Sequence, residues 1–259
     1  MLRLICLYLV EQSSGRYFYI RQNMNALQKY KILRAEQRGA ADHGWLRSKH
    51  TFSFADYDDP KWRGFRKLKV INEDAVTAGM GFGMHSHRDM EIFSYVIEGV
   101  LEHRDSLGNQ RQLFPGEIQL MSAGQGVRHS EFNPSESFPT HFLQVWIEPS
   151  QRGGAPKYTE WKSDEKKLSQ QLVISPNGEK GSAVIQQDVW VYLINLNSGS
   201  QVQHVNLEGR GVWVQVVKGA VRIGEETLVA GDGWMSEEAG VFDLQGSSEV
   251  AELILFDLN

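Results

Sequence analysis

Apolar residues in this chain recur at every second position over short runs, and Gly, Pro, Asn and Asp interrupt those runs. Helical periodicity is scarce. A period of two places alternate side chains on opposite faces of an extended chain, so these runs predict half-buried strands. They cover residues 51–54, 66–71, 91–96 and 141–147, then 189–196, 211–217, 220–223 and 251–256. Glu98-Gly99 closes the third run, and Asp105-Ser106-Leu107-Gly108-Asn109 has the composition of a hairpin loop. Many short strands between frequent turns predict an all-β sandwich or barrel.

The pattern occurs twice. Tyr95-Val96-Ile97-Glu98-Gly99 is followed by a hairpin and then Pro115-Gly116-Glu117. Val216-Val217-Lys218-Gly219 is followed by a hairpin and then Ala230-Gly231-Asp232. A barrel unit used twice predicts two similar barrels rather than one large domain. Between them lie a Pro- and Gly-bearing stretch from Pro149 to Pro156 and a charged stretch from Trp161 to Lys167. The expected division is an N-terminal barrel over residues 24–150, a linker over 151–170 and a C-terminal barrel over 171–259. The apolar run from Leu2 to Val10 is far shorter than the ~20 residues that span a bilayer. Its flanks do not suit a signal peptide, because Glu11-Gln12 stands where small residues belong. Residues 1–23 are expected to be a poorly packed extension, and a start at Met24 would leave a chain that reads as complete.

Composition narrows the chemistry. The 259 residues suffice for two domains with real cores. A formal charge of −5, with both signs dispersed and no basic block, argues against direct, charge-driven nucleic-acid binding. Nothing points to a membrane, and monomer is the default. The single cysteine, Cys6, excludes an intrachain disulfide, a multi-thiolate metal site and dithiol redox chemistry, and it suits a reducing cytoplasm.

Three of the eight histidines stand in an informative arrangement. In a strand, His85 and His87 project to one face, and by the same rule so do His129 and Glu131. Bringing the two strands together makes three imidazoles and one carboxylate converge. A lone H-x-H is more often a surface or satisfied pair; the H-x-E roughly 40 residues on, in a strand-rich setting, makes the pair a metal site. Imidazole and carboxylate together suit one divalent transition metal with open positions, and Fe, Cu, Ni, Mn, Co and Zn all accept such ligands. His43, His50, His103, His141 and His204 lack a second histidine at i+2 and read as structural or exposed. Glu91 reads as an outer residue orienting an imidazole. The second barrel has no histidine beyond His204, so it reads as metal-free.

Gly79, His85, His87 and Glu91, followed by Gly116, Ser122, Gly124, His129 and Asn133, resemble the two cupin motifs. Serine replaces the usual proline, and the gap before His129 is longer. The chain is more specifically similar to the pirin family, in four runs. These are Ala41-Asp42-His43-Gly44-Trp45-Leu46, His50-Thr51-Phe52-Ser53-Phe54, the segment from Gly81 to Ile92, and Met121-Ser122-Ala123-Gly124. Its closing segment from Ala251 to Asp257 resembles the bacterial quercetin 2,3-dioxygenase-like branch. The resemblance implies two cupin (jelly-roll) barrels in tandem, with the metal site in the N-terminal one. The family's ligands fall on His85, His87, His129 and Glu131, and iron is the first choice of metal. It also implies O2-dependent opening of a flavonol-like aromatic substrate with release of carbon monoxide, Glu131 serving as ligand and base. Phe52, Phe54, Phe82, Phe132 and Trp45 are candidates to line an apolar pocket. The animal pirins imply an alternative, a metal-bound, redox-sensitive regulator with a protein partner. Another metal-dependent cupin reaction is the third possibility, since fold does not fix function.

Overall fold

The computed structural model of the chain describes residues 5–11, 17–23, 30–163 and 169–259. The expected all-β architecture is what they adopt: antiparallel strands dominate, and the only helical turns among them are two short 3-10 turns. None of these residues belongs to a helix long and apolar enough to cross a membrane.

Residues 36–192 form one compact unit. Its larger sheet orders the strands Lys157–Trp161, Ile118–Ser122, Glu91–Glu98, Thr140–Ile147, Leu68–Val76, Leu46–His50 and Gly39–Asp42. The smaller sheet orders Gln110–Leu113, Leu101–Asp105, Val127–Phe132 and Gly81–His87. The Glu91–Glu98 strand is buried on both faces except at its last residue. One apolar cluster joins Leu46, Val76, Val96, Leu101, Leu113 and Phe142, with Trp45 and Phe82 packed against it. A second joins Ile92, Met121, Ala123 and Val127, with Met90 and Trp146 against it. Burying such side chains contributes roughly 1.5–3 kcal/mol each, and here it fixes the strands that carry the polar site.

The second compact unit takes residues 193–259 together with the N-terminal residues up to 35. The strand Gly211–Lys218 lies between Val250–Leu258 and Gly233–Ser236. A further sheet orders Gln201–Asn206, Gly240–Gly246, Ala220–Ile223 and Glu226–Val229.

Strand pairing links segments on either side of the expected boundaries. Tyr30–Leu33 pairs with Gly233–Ser236 in the second unit, although residues 24–150 were assigned to the first barrel. Arg34 anchors that crossing strand through Asp232 at 2.9 Å and Glu226 at 3.0 Å. Within the expected linker, Lys157–Trp161 pairs with Ile118–Ser122 and adds an edge to the first unit's larger sheet. In the N-terminal extension, Ile5–Glu11 and Tyr17–Asn23 pair as an antiparallel ribbon. Their aromatic and branched composition suits strands. Residues 1–4, 12–16 and 24–29 lie outside the described residues, as do 164–168 of the linker. The alternation at residues 51–54 does not make a strand. Ser53 Oγ takes the Asp59 N–H at 2.9 Å and donates to backbone carbonyls of the same loop, so a side chain satisfies the backbone there.

Candidate metal centre

The smaller sheet of the first unit brings the paired residues together. His129 lies directly opposite His85 on one side and Asp105 on the other, and Glu131 lies opposite His103. The register with Gly81–His87 shifts between His129 and Glu131, where Ser130 faces two residues, Gly83 and Met84. Close approach of the strands also depends on Gly81: a Cβ there would overlap the Glu131 carbonyl and Phe132 Cα.

His85, His87 and His129 offer ring nitrogens that all lie within 4.8 Å of one another. Their ring centroids are separated by 4.4 Å for His85 and His129, 4.7 Å for His85 and His87, and 4.9 Å for His87 and His129. Burial, reinforced by the neighbouring imidazoles, pushes the His129 pKa down to about 3. The same causes push His87 down to about 4. Both are therefore neutral at pH 7 and keep a lone pair for a cation. Nδ1 of His85 sits 2.8 Å from the Gly83 carbonyl, which assigns its proton to Nδ1 and its lone pair to Nε2. Nε2 of His129 is buried without any hydrogen-bond partner. A buried orphan nitrogen beside two further imidazoles is the donor set a transition metal fits.

Glu131 is 1% exposed and is held by three side-chain donors. Ser94 Oγ at 2.7 Å and Gln119 Nε2 at 2.9 Å donate to Oε1, and Gln144 Nε2 at 2.6 Å donates to Oε2. An ionised carboxylate has about four acceptor positions, so one position, on Oε2, remains uncommitted. Gln144 in turn accepts from Trp146 Nε1 at 3.3 Å. Trp146 packs edge-on against His87 at 4.9 Å and against Phe54 at 5.5 Å.

His103, expected from its spacing to be structural or exposed, stands at the site. It is fully buried, and it forms a second possible ligand group with His129 and Glu131. Its signal was present as His103-x-Asp105, a second i, i+2 polar pair ending at the hairpin loop. Gln119, Gln144, Ser94 and Trp146 were missed as well and carry no local signal.

Other expectations change. Glu91 orients no imidazole among its bonds: it accepts from Ser122 Oγ at 2.7 Å and from the Gln186 N–H at 3.1 Å, and burial raises its pKa. His50 is a buried structural residue bound to Asn72 at 2.8 Å, and His141 pairs with Glu73 at 2.9 Å. Of the candidate pocket aromatics, Phe52 is buried, Trp45 and Phe82 pack on each other at 5.4 Å, and Phe132 is exposed; Phe54 reaches the site through Trp146. An open pocket of about 310 Å³ adjoins His87 and is lined by Ser86, Arg88, Ser106, Gly126, Val127 and Arg128, with no Phe, Tyr or Trp among them.

Comparison with known proteins agrees with this architecture. A family model described as pirin matches residues 32–147, and one described as the quercetinase C-terminal cupin domain matches residues 172–258. The quercetin 2,3-dioxygenase of Escherichia coli K12 is 45% identical over 227 residues, spanning 88% of this chain and 97% of that protein. A pirin-like protein of Caulobacter vibrioides is 36% identical over 86% of this chain and 96% of its own length. The crystal structure of the bacterial pirin YhhW from E. coli in complex with nickel(II) superposes with a TM-score of 0.85 at 44% identity, covering 89% of this chain and 99% of that one.

Proposed function

This chain belongs to the pirin family, and from that premise we propose that it is a metal-dependent dioxygenase that opens a flavonol ring with O2 and releases carbon monoxide. The observation that carries the reading is the meeting of three imidazoles, two of them held neutral by burial and neighbouring imidazoles, of which His129 is also grouped with a carboxylate fixed by three donors. His85, His87, His129 and Glu131 would hold one divalent metal, with iron the first candidate. A bound metal would supply Lewis acidity toward a substrate hydroxyl. The protein's own part is to aim and to receive. His85 is fixed by the Gly83 carbonyl at Nδ1, which leaves its Nε2 for the metal. Glu131 keeps its open position on Oε2, where it takes the flavonol hydroxyl proton. Ser94, Gln119 and Gln144 keep that carboxylate from turning away, and Trp146 forms an aromatic wall at His87.

The pocket beside His87, lined by Arg88 and Arg128 and by no Phe, Tyr or Trp, favours a second reading, in which the metal serves a regulatory surface or a more polar substrate. Anaerobic iron reconstitution followed by aerobic quercetin turnover with carbon monoxide detection separates the two. Turnover with carbon monoxide, lost in His129→Ala and reduced more than metal content in Glu131→Gln, supports the dioxygenase. Bound metal without turnover refutes it and leaves the second reading.

A further inference from the structure

Behind His129, on the side away from His85 and His87, stands a chain of polar groups that the ligand set does not use. Asp105 receives the N–H groups of Leu107 and Asn109 on Oδ1 and the Asn109 side-chain amide on Oδ2, at 2.8–3.0 Å. Every one of these partners donates, so the carboxylate acts purely as an acceptor. The hairpin loop therefore does more than connect two strands: it immobilises a carboxylate facing the barrel interior. His103 Nε2 lies 3.2 Å from Asp105 Oδ2, and facing an acceptor it must carry the proton. With that proton on Nε2, Nδ1 of His103 is left to accept, as its contact with the Gln119 amide nitrogen requires.

Two groups face that nitrogen. Gln119 Nε2 is 3.3 Å away and His129 Nδ1 is 3.5 Å away. The amide of Gln119 has a fixed sense, because its nitrogen donates to Glu131 while its oxygen accepts the Tyr158 hydroxyl at 3.4 Å. It cannot turn to offer His129 an acceptor. The Tyr158 ring stacks on His103 at 5.1 Å and keeps the imidazole from tilting. His129 Nδ1 therefore shares that acceptor with the Gln119 amide and holds a proton, which leaves the lone pair on Nε2, the buried orphan atom beside His85 and His87.

We propose that His103, held by Asp105, is the positioning residue that fixes the tautomer of His129, with the proton on Nδ1 and the lone pair of Nε2 turned into the triad. The inference rests on the reading of His129 as a metal ligand. An outer partner of this kind commonly sets ligand orientation, and its loss lowers metal affinity by about 10- to 100-fold. Here the partner is a second histidine and the carboxylate stands one residue further out, so a hairpin turn controls an imidazole on the neighbouring strand.

The test reads the tautomer directly. Two-bond proton–nitrogen correlation spectra of the metal-free full chain, labelled with 15N-histidine, distinguish an Nδ1–H imidazole from an Nε2–H one. The expected result is Nδ1–H for His129 and Nε2–H for His103. In His103→Phe, which keeps a ring against Tyr158 but removes the acceptor, His129 should shift toward Nε2–H. The dissociation constant for nickel(II) should rise by about 10- to 100-fold. His103→Gln, whose carbonyl can accept, should recover most of both. An Nε2–H His129 in the unsubstituted chain overturns the proposal, as does a folded His103→Phe protein with an unchanged His129 tautomer. Should His103→Phe fail to fold, the unsubstituted chain and His103→Gln still decide. Failure of the metal-site reading looks different: nickel binding would survive in both His85→Ala and His129→Ala, whatever the tautomer.

Discussion

Replacing Gln144 with Leu removes one donor from a carboxylate that has no solvent to replace it. The lost bond is short, 2.6 Å, and ends on a buried charge; hydrogen bonds of that kind are worth about 1.5–3 kcal/mol. The Trp146 indole loses its acceptor too, but that bond is 3.3 Å and the ring is half-buried, so its share is about 0.5 kcal/mol, the low end for a neutral pair. Leu is close to Gln in size, so the cavity contribution is small. The expected cost is therefore ~2–3 kcal/mol, which for a unit of this size lowers the melting temperature of the metal-free protein by about 4–12 °C. Calorimetry or thermal circular dichroism reads that shift. Freed on one side, Glu131 should also hold nickel(II) about 10- to 100-fold less tightly, as seen when outer-shell partners are removed elsewhere. A melting temperature within about 1 °C of the unsubstituted protein, with unchanged nickel affinity, would refute the claim that Gln144 holds the carboxylate.

Two further outcomes can be measured separately. Gly81→Ala forces the paired strands apart at Glu131 and Phe132; it should cost about 1–3 kcal/mol and reduce metal content by elemental analysis, while Gly83→Ala, where an added Cβ meets nothing within 4 Å, should disturb stability far less. The acid limb of the stability curve should depend on Glu73: burial opposes its ionisation, but hydrogen bonds from His141 and Arg38 outweigh it and bring the pKa from 4.5 down to about 2. A depressed carboxylate pKa stabilises the fold above the unfolded value and loses that contribution as pH falls toward the folded one. Urea titrations between pH 4.5 and 2 should show a shallower decline for Glu73→Gln than for the unsubstituted protein; equal slopes would remove Glu73 as the cause.

What the sequence made legible is what strand geometry encodes locally. His85 with His87, and His129 with Glu131, are neighbours through the period of two alone, and the hairpin between Leu101–Asp105 and Gln110–Leu113 follows from its turn residues. What it concealed depends on pairing between distant segments. Ser94, Gln119 and Gln144 reach Glu131 from three adjacent strands of the other sheet, so their meeting is set by cross-strand register and by how the sheets face. Glu91 misled for the same reason: it follows the histidines closely in sequence, but its strand pairs it with Ser122, away from them. Tyr30–Leu33 crosses to the second unit because its register partners lie some 200 residues further along, a distance no local pattern spans.

The second barrel offers an internal comparison. It carries its own i, i+2 polar pair, His204 and Asn206, on the strand Gln201–Asn206. There the chemistry is committed to structure. His204 Nε2 lies 3.3 Å from Asp257, which also takes the Arg210 guanidinium, and Asn206 Nδ2 donates to the Arg210 and Glu238 carbonyls at 3.1 and 2.9 Å. In the first barrel the corresponding economy is reversed: the donors are concentrated on Glu131, and an imidazole nitrogen of His129 is left buried and unmatched. The cost of leaving that nitrogen bare, about 1–3 kcal/mol, is what a bound cation would remove. In the second barrel the His204–Asn206 pair is spent on an ion pair and backbone carbonyls; in the first, a nitrogen left without a partner lies at the point where the three imidazoles meet.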